Sequence, residues 1–161
     1  MSAALASLTA SQVKSGDALP DFSYDVTATT VILGALATRD TRPMHHDRDF
    51  AINHSGTKDI FLNTPNQSTW FERYVSDWTG PRARLGKMQF RMKDSVYPND
   101  TIVFRGTVRE IETDDTGCHW ATLEINLSVD EKTVTDCTVR VALPADENDN
   151  PWKRKGERWK P

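Results

Sequence analysis

From Asn63 to Pro81 apolar and polar positions alternate with a helical period. Trp70, Phe71, Tyr74, Val75 and Trp78 recur three to four residues apart and make one broad apolar stripe. Asn63-Thr64-Pro65 suits a helix start, because a polar side chain caps free backbone N–H groups and proline needs no N–H in the first turn. Gly80-Pro81 suits its end. The spacing predicts a helix over Thr64–Trp78. Beyond it the period falls to two. Met88, Phe90 and Met92 alternate with Gln89 and Arg91, and a strand opens at Ile102 and Phe104 and runs through Val108 towards Ile111. Leu123, Ile125, Leu127 and Val129 form the next, and Val139, Val141 and Leu143 the last. Turn residues at Tyr97–Asp100, Asp114–Gly117 and Asp130–Lys132 separate them. Half-buried strands joined by short turns predict an antiparallel meander, and one long helix laid against it makes the fold class α+β.

The first half of the chain is less regular. Phe22–Val26 reads as a short strand after turn signals in Val13–Pro20. Val31, Ile32, Leu33, Ala35 and Leu36 form a run too short to decide between helix and strand. Arg39–Ala51 lacks apolar periodicity and is dense in titratable groups around Pro43, which marks a loop with a chemical role. Its end, Asp47–Ile52, reads as a short helix capped by Asp47, and His54–Asp59 as a second loop. The expected domain covers residues 13–143. Met1–Gln12 is expected to be a loose arm, and residues 144–161 a charged, solvated, disordered tail. The alternative for the tail is a docking strap, with Trp152 and Trp159 as anchors and Lys153, Arg154, Lys155, Arg158 and Lys160 supplying charge.

At 161 residues the chain is long enough for one domain with its own core. A net charge of −3 gives no general pull towards nucleic acid. No apolar run is long enough to span a bilayer, and the N-terminus lacks a secretory pattern, so a cytoplasmic location is expected. If Asp130–Lys132 is a hairpin turn, Cys137 lies opposite about position 125 and Cys118 opposite about position 144. That register separates the two cysteines and predicts two reduced thiols.

Asp40 and His45 are the candidate chemical pair. A bend at Pro43 brings a carboxylate and an imidazole into one small volume, where they can hold a water molecule and move its protons. The plainer reading makes Asp40 a turn cap and His45 a surface residue. A metal site built from His45, His46, Asp47 and His54 is disfavoured, because neighbouring residues in extended chain face opposite ways. A Gly-x-Ser-x-Gly elbow and a phosphate-cradling glycine loop are both absent. The start of the Thr64–Trp78 helix adds unpaired N–H groups and a positive dipole, which suit an enolate oxygen. Such a set fits the addition of water to an α,β-unsaturated thioester.

Asp40-Thr41-Arg42-Pro43-Met44-His45, then Asp47 and Phe50-Ala51, resembles the Asp-x-Asn-Pro-x-His motif of the MaoC-like, R-specific enoyl-CoA hydratases. Val96-Tyr97-Pro98-Asn99-Asp100-Thr101-Ile102 resembles that family's lead into its next long strand. Further stretches, among them Lys58-Asp59-Ile60-Phe61 and Arg73–Pro81, are similar to the small hydratase subunits of bacterial steroid side-chain β-oxidation. The resemblance implies a single hotdog domain, a curved antiparallel sheet wrapped around one long central helix. It implies a trans-2-enoyl-CoA substrate, with a bulky or steroid-like acyl group, and no cofactor. Asp40 and His45 take the catalytic positions, the backbone N–H of Asn63 the oxyanion position, and Arg42, Pro43, His46 and Asp47 support the loop. Arg42 stands where the family has Asn, and Asn63 where it usually has Gly. A homodimer or a pairing with a second MaoC-like subunit is implied. Two other roles fit the same fold: a non-catalytic subunit supporting a catalytic partner, and an acyl-CoA thioesterase.

Overall fold

The structure is a computed structural model and describes residues 7–161. Five antiparallel strands form one sheet: β1 (Phe22–Asp25), β2 (Arg84–Met92), β3 (Thr101–Thr113), β4 (His119–Val129) and β5 (Lys132–Leu143), in the order β1-β3-β4-β5-β2. β3, β4 and β5 make the expected meander. Asp130 and Glu131 both have positive φ and form a two-residue turn whose twist matches the strands it joins. Helix α3 (Thr64–Thr79) lies between β1 and β2 in sequence and packs on the inner face of the sheet. The expected long helix, curved sheet and hotdog architecture are all present.

Packing explains the register. Ile102, Phe104 and Val108 of β3 point inward beside Leu123, Ile125 and Leu127 of β4, and all six are buried. Phe71 of α3 meets the edge of Phe104 at a centroid distance of 5.1 Å, and Tyr74 meets the same ring at 5.5 Å. Trp70 and Trp78, at the margins of the predicted stripe, are half-buried, and Trp70 covers Tyr24 of β1 at 4.6 Å. Each fully buried side chain of this size contributes about 1.5–3 kcal/mol through water exclusion.

The undecided run is helix α1 (Ala28–Ala37), opened by a Thr27–Thr30 capping box. It crosses α3 closely: a Cβ on Gly34 would lie 1.8 Å from the Asn66 side-chain nitrogen. Within the predicted loop, Pro43–His45 forms a 3₁₀ turn and helix α2 (Arg48–Asn53) follows, capped by Asp47 as expected. The two cysteines are free and buried, and Cys137 faces Ile125 as the register argument requires.

Two expectations need correction. Residues 7–12 are docked rather than loose: the Leu8 N–H donates to Thr79 O, the Ala10 N–H donates to Pro144 O, and Ser7 and Thr9 are buried. Residues 1–6 of the predicted arm lie outside the described residues. The tail is anchored on its own chain rather than disordered, although most of its charged residues stay exposed. Trp159 packs against Trp120 in a tilted pair at 5.0 Å, and Arg84 sits over Trp159 at 3.7 Å. Arg154 is buried and donates to the carbonyls of Thr116 and Gly117. Low mean hydropathy hides this, because three or four anchoring side chains hold a segment that is otherwise polar.

Candidate active site

Three elements converge at the N-terminus of α3. Helix α1 ends in a Schellman motif, with Asp40 N–H donating to Ala35 O and Arg39 N–H to Leu36 O. The left-handed position is Arg39, at φ 56°, so the reversal that delivers Asp40 is made without glycine. The 3₁₀ turn begins at Pro43 and delivers His45. The chain then returns through Phe61 to Asn63, which caps α3 by accepting from the Asn66 N–H.

Asp40 and His45 meet. Their side chains are 8% and 3% exposed, with His45 Nε2 3.5 Å from Asp40 Oδ2. His45 Nδ1 lies 2.9 Å from the Phe61 carbonyl, which can only accept, so Nδ1 carries a proton and, in the neutral ring, Nε2 is the nitrogen with the lone pair. Nε2 is buried and has no hydrogen-bond partner. The ring is further fixed by an edge contact with Phe61 at 4.8 Å.

Asp40 is ringed by donors. Arg42 donates from Nη2 at 2.7 Å, from Nε at 2.8 Å and from its backbone N–H at 3.3 Å. Asn63 Nδ2 donates to Asp40 Oδ2 at 3.0 Å and to Thr38 Oγ1 at 2.8 Å. The Arg42 guanidinium, helped by Asn63, outweighs burial and holds the Asp40 carboxyl well below the usual carboxylate range. Thr38 completes the frame by donating to Gly34 O at 2.7 Å.

The remaining predicted residues fall at different distances from the pair. Pro43 shapes the turn, and Arg42 touches Asp40 directly. His46 is exposed and donates to Thr41 O, and Asp47 caps α2, so both support the loop from outside the pair. His54 stacks on Phe50 at 5.1 Å. Among the described residues no group of three His, Cys, Asp or Glu side chains is gathered as a metal-binding set. Sequence reasoning missed Thr38 and Phe61. Phe61 acts through its backbone carbonyl, which leaves no side-chain signal, and Thr38 is one of several threonines near a helix end.

No family profile matches the sequence. The beta subunit of 3-oxo-4,17-pregnadiene-20-carboxyl-CoA hydratase from Mycobacterium tuberculosis is 38% identical over 96 residues, which span 60% of this chain and 74% of that protein. A chain of the ChsH1–ChsH2 complex of the same organism superposes with a TM-score of 0.74 at 32% identity, over 81% of this chain and 98% of that one. This chain belongs to the MaoC-like hydratase family. The MaoC-like fold is also shared with the (R)-hydratase of A. caviae involved in PHA biosynthesis, at a TM-score of 0.72, 18% identity and coverage of 82% and 98%. Among the described residues of this MaoC-like chain no helix is long and apolar enough to cross a membrane.

Proposed function

We propose that this chain is the catalytic hotdog subunit of an enoyl-CoA hydratase, adding water across the double bond of a trans-2-enoyl-CoA. The observation that carries the reading is the unpartnered, buried Nε2 of His45 beside the Asp40 carboxylate. A water molecule donating to Nε2 would be oriented for attack at C3. The backbone N–H of Asn63, at the positive end of a 16-residue helix, would receive the enolate oxygen. The thioester itself activates the double bond, so the reaction needs no cofactor. The relative's name supports a bulky, steroid-like acyl group. Membership of a two-subunit complex by a structural relative supports pairing with a second hotdog subunit.

The test is hydration by the assembled complex, followed as loss of enoyl-thioester absorbance with short and steroid-like substrates. Asp40→Ala and His45→Asn each lower kcat/KM, and the group that carries the proton contributes about 10²–10⁴-fold. Undiminished hydration with both variants overturns the catalytic role and leaves a supporting subunit.

A further inference from the structure

Asp40 has little accepting capacity to spare. A carboxylate offers about four lone-pair sites. Arg42 Nε and the Arg42 backbone N–H reach Oδ1, while Arg42 Nη2 and Asn63 Nδ2 reach Oδ2. Four N–H donors therefore already face the group. The Arg42 side chain is 61% exposed, yet its fork lies flat along both oxygens, the geometry that a guanidinium and a carboxylate favour. His45 Nε2 is in the opposite condition. It is buried and has no hydrogen-bond partner, and in the neutral ring the Phe61 carbonyl makes it the lone-pair nitrogen.

We propose that Arg42 is a positioning residue that divides the roles of the pair, leaving His45 as the group that takes and returns the proton and Asp40 as a fixed anion. The inference rests on the hydratase reading above. Water gives one proton to His45 Nε2 while its oxygen bonds to C3. The C2–C3 π pair moves towards the thioester carbonyl, making an enolate. The Nε2–H then returns its proton to C2, and the net change is addition of one water. Throughout, Asp40 steadies the imidazolium from 3.5 Å and keeps its own charge. Arg42 and His45 are the charged or titratable groups that face Asp40. From α1 and α3, among the described residues, only the neutral Thr38 and Asn63 belong to this cluster.

Two measurements test this. Carbon-13 NMR of the Asp40 carboxyl in the full chain needs no activity. In the wild type no titration is expected above about pH 3, and Arg42→Asn should return the inflection towards the ordinary aspartate value of about 3.9. An Asp40 that titrates near that value with Arg42 in place overturns the proposal. In the assembled complex, His45→Gln should cost more than about 10³-fold in hydration and Asp40→Asn only about 10-fold, because the first removes the proton carrier and the second only a neighbouring charge. Equal losses overturn the division of roles. A wild-type complex that does not hydrate any enoyl-CoA removes the functional reading and the division with it, while the titration still decides whether Arg42 holds Asp40 as an anion.

Discussion

Arg39 carries a cost that its position explains. A non-glycine residue in the left-handed region is disfavoured by about 1–2 kcal/mol, and here the strained residue sits directly before Asp40. Arg39→Gly is therefore expected to raise stability by up to about 1 kcal/mol in urea unfolding, the usual gain when strain is relieved being partly offset by the freer unfolded chain. Asp114 is a second residue whose surroundings set its charge. Burial pushes its carboxyl up, but donation from Trp120 Nε1, the Thr116 hydroxyl and the N–H groups of Thr116 and Cys118 prevails and lowers it. A carboxyl lowered on folding stabilises the fold above its unfolded value and loses that contribution as pH falls through the folded one. Asp40 and Asp114 thus both predict a fall in thermal midpoint below about pH 4, and Asp114→Asn should flatten that fall.

Among elements, α3 was legible and α1 was not, for a physical reason. The stripe of α3 has one apolar face because only one side meets the sheet. The run in α1 spreads apolar residues around the helix: Val31 and Ala35 are buried while Leu33 and Leu36 are 58% and 57% exposed. Periodicity cannot assign a segment whose apolar residues do not choose a face. The strands were legible through their alternation and turn residues, and the register placed both cysteines. Asp40 and His45 were legible as residue types around a proline, but their distance and the Arg42 fork depend on where α1 stops, which no local pattern records. The crossing of α1 and α3 ties that stop to the start of α3. Gly34→Ala should cost about 1–3 kcal/mol by overpacking against Asn66, measured by thermal or urea unfolding, and Asn66→Ala in the same chain should recover part of the loss.

Over the whole molecule, the site and the tail occupy opposite ends of α3. The Asp40–His45 pair lies at its N-terminus, while Ala83 and Arg84, just beyond its C-terminus, receive Trp152 and Trp159. Trp159→Ala should therefore lower stability by about 1–2 kcal/mol, from the lost aromatic pair and cation contact, without changing the pH titration of Asp40. The tail also shields the small cluster of Cys118, Trp120 and Ala142, which is separate from the main core that holds Cys137. Burial raises both thiols, Cys137 to about 12. The two sulfurs consequently time different events. A thiol-labelling reagent should modify Cys118 whenever the last residues lift from the sheet, and Cys137 only when the entire domain opens. The slowing of Cys118 relative to the unfolded chain therefore gives the free energy of releasing the tail, and the gap between the two rates gives how much more the whole domain costs to open.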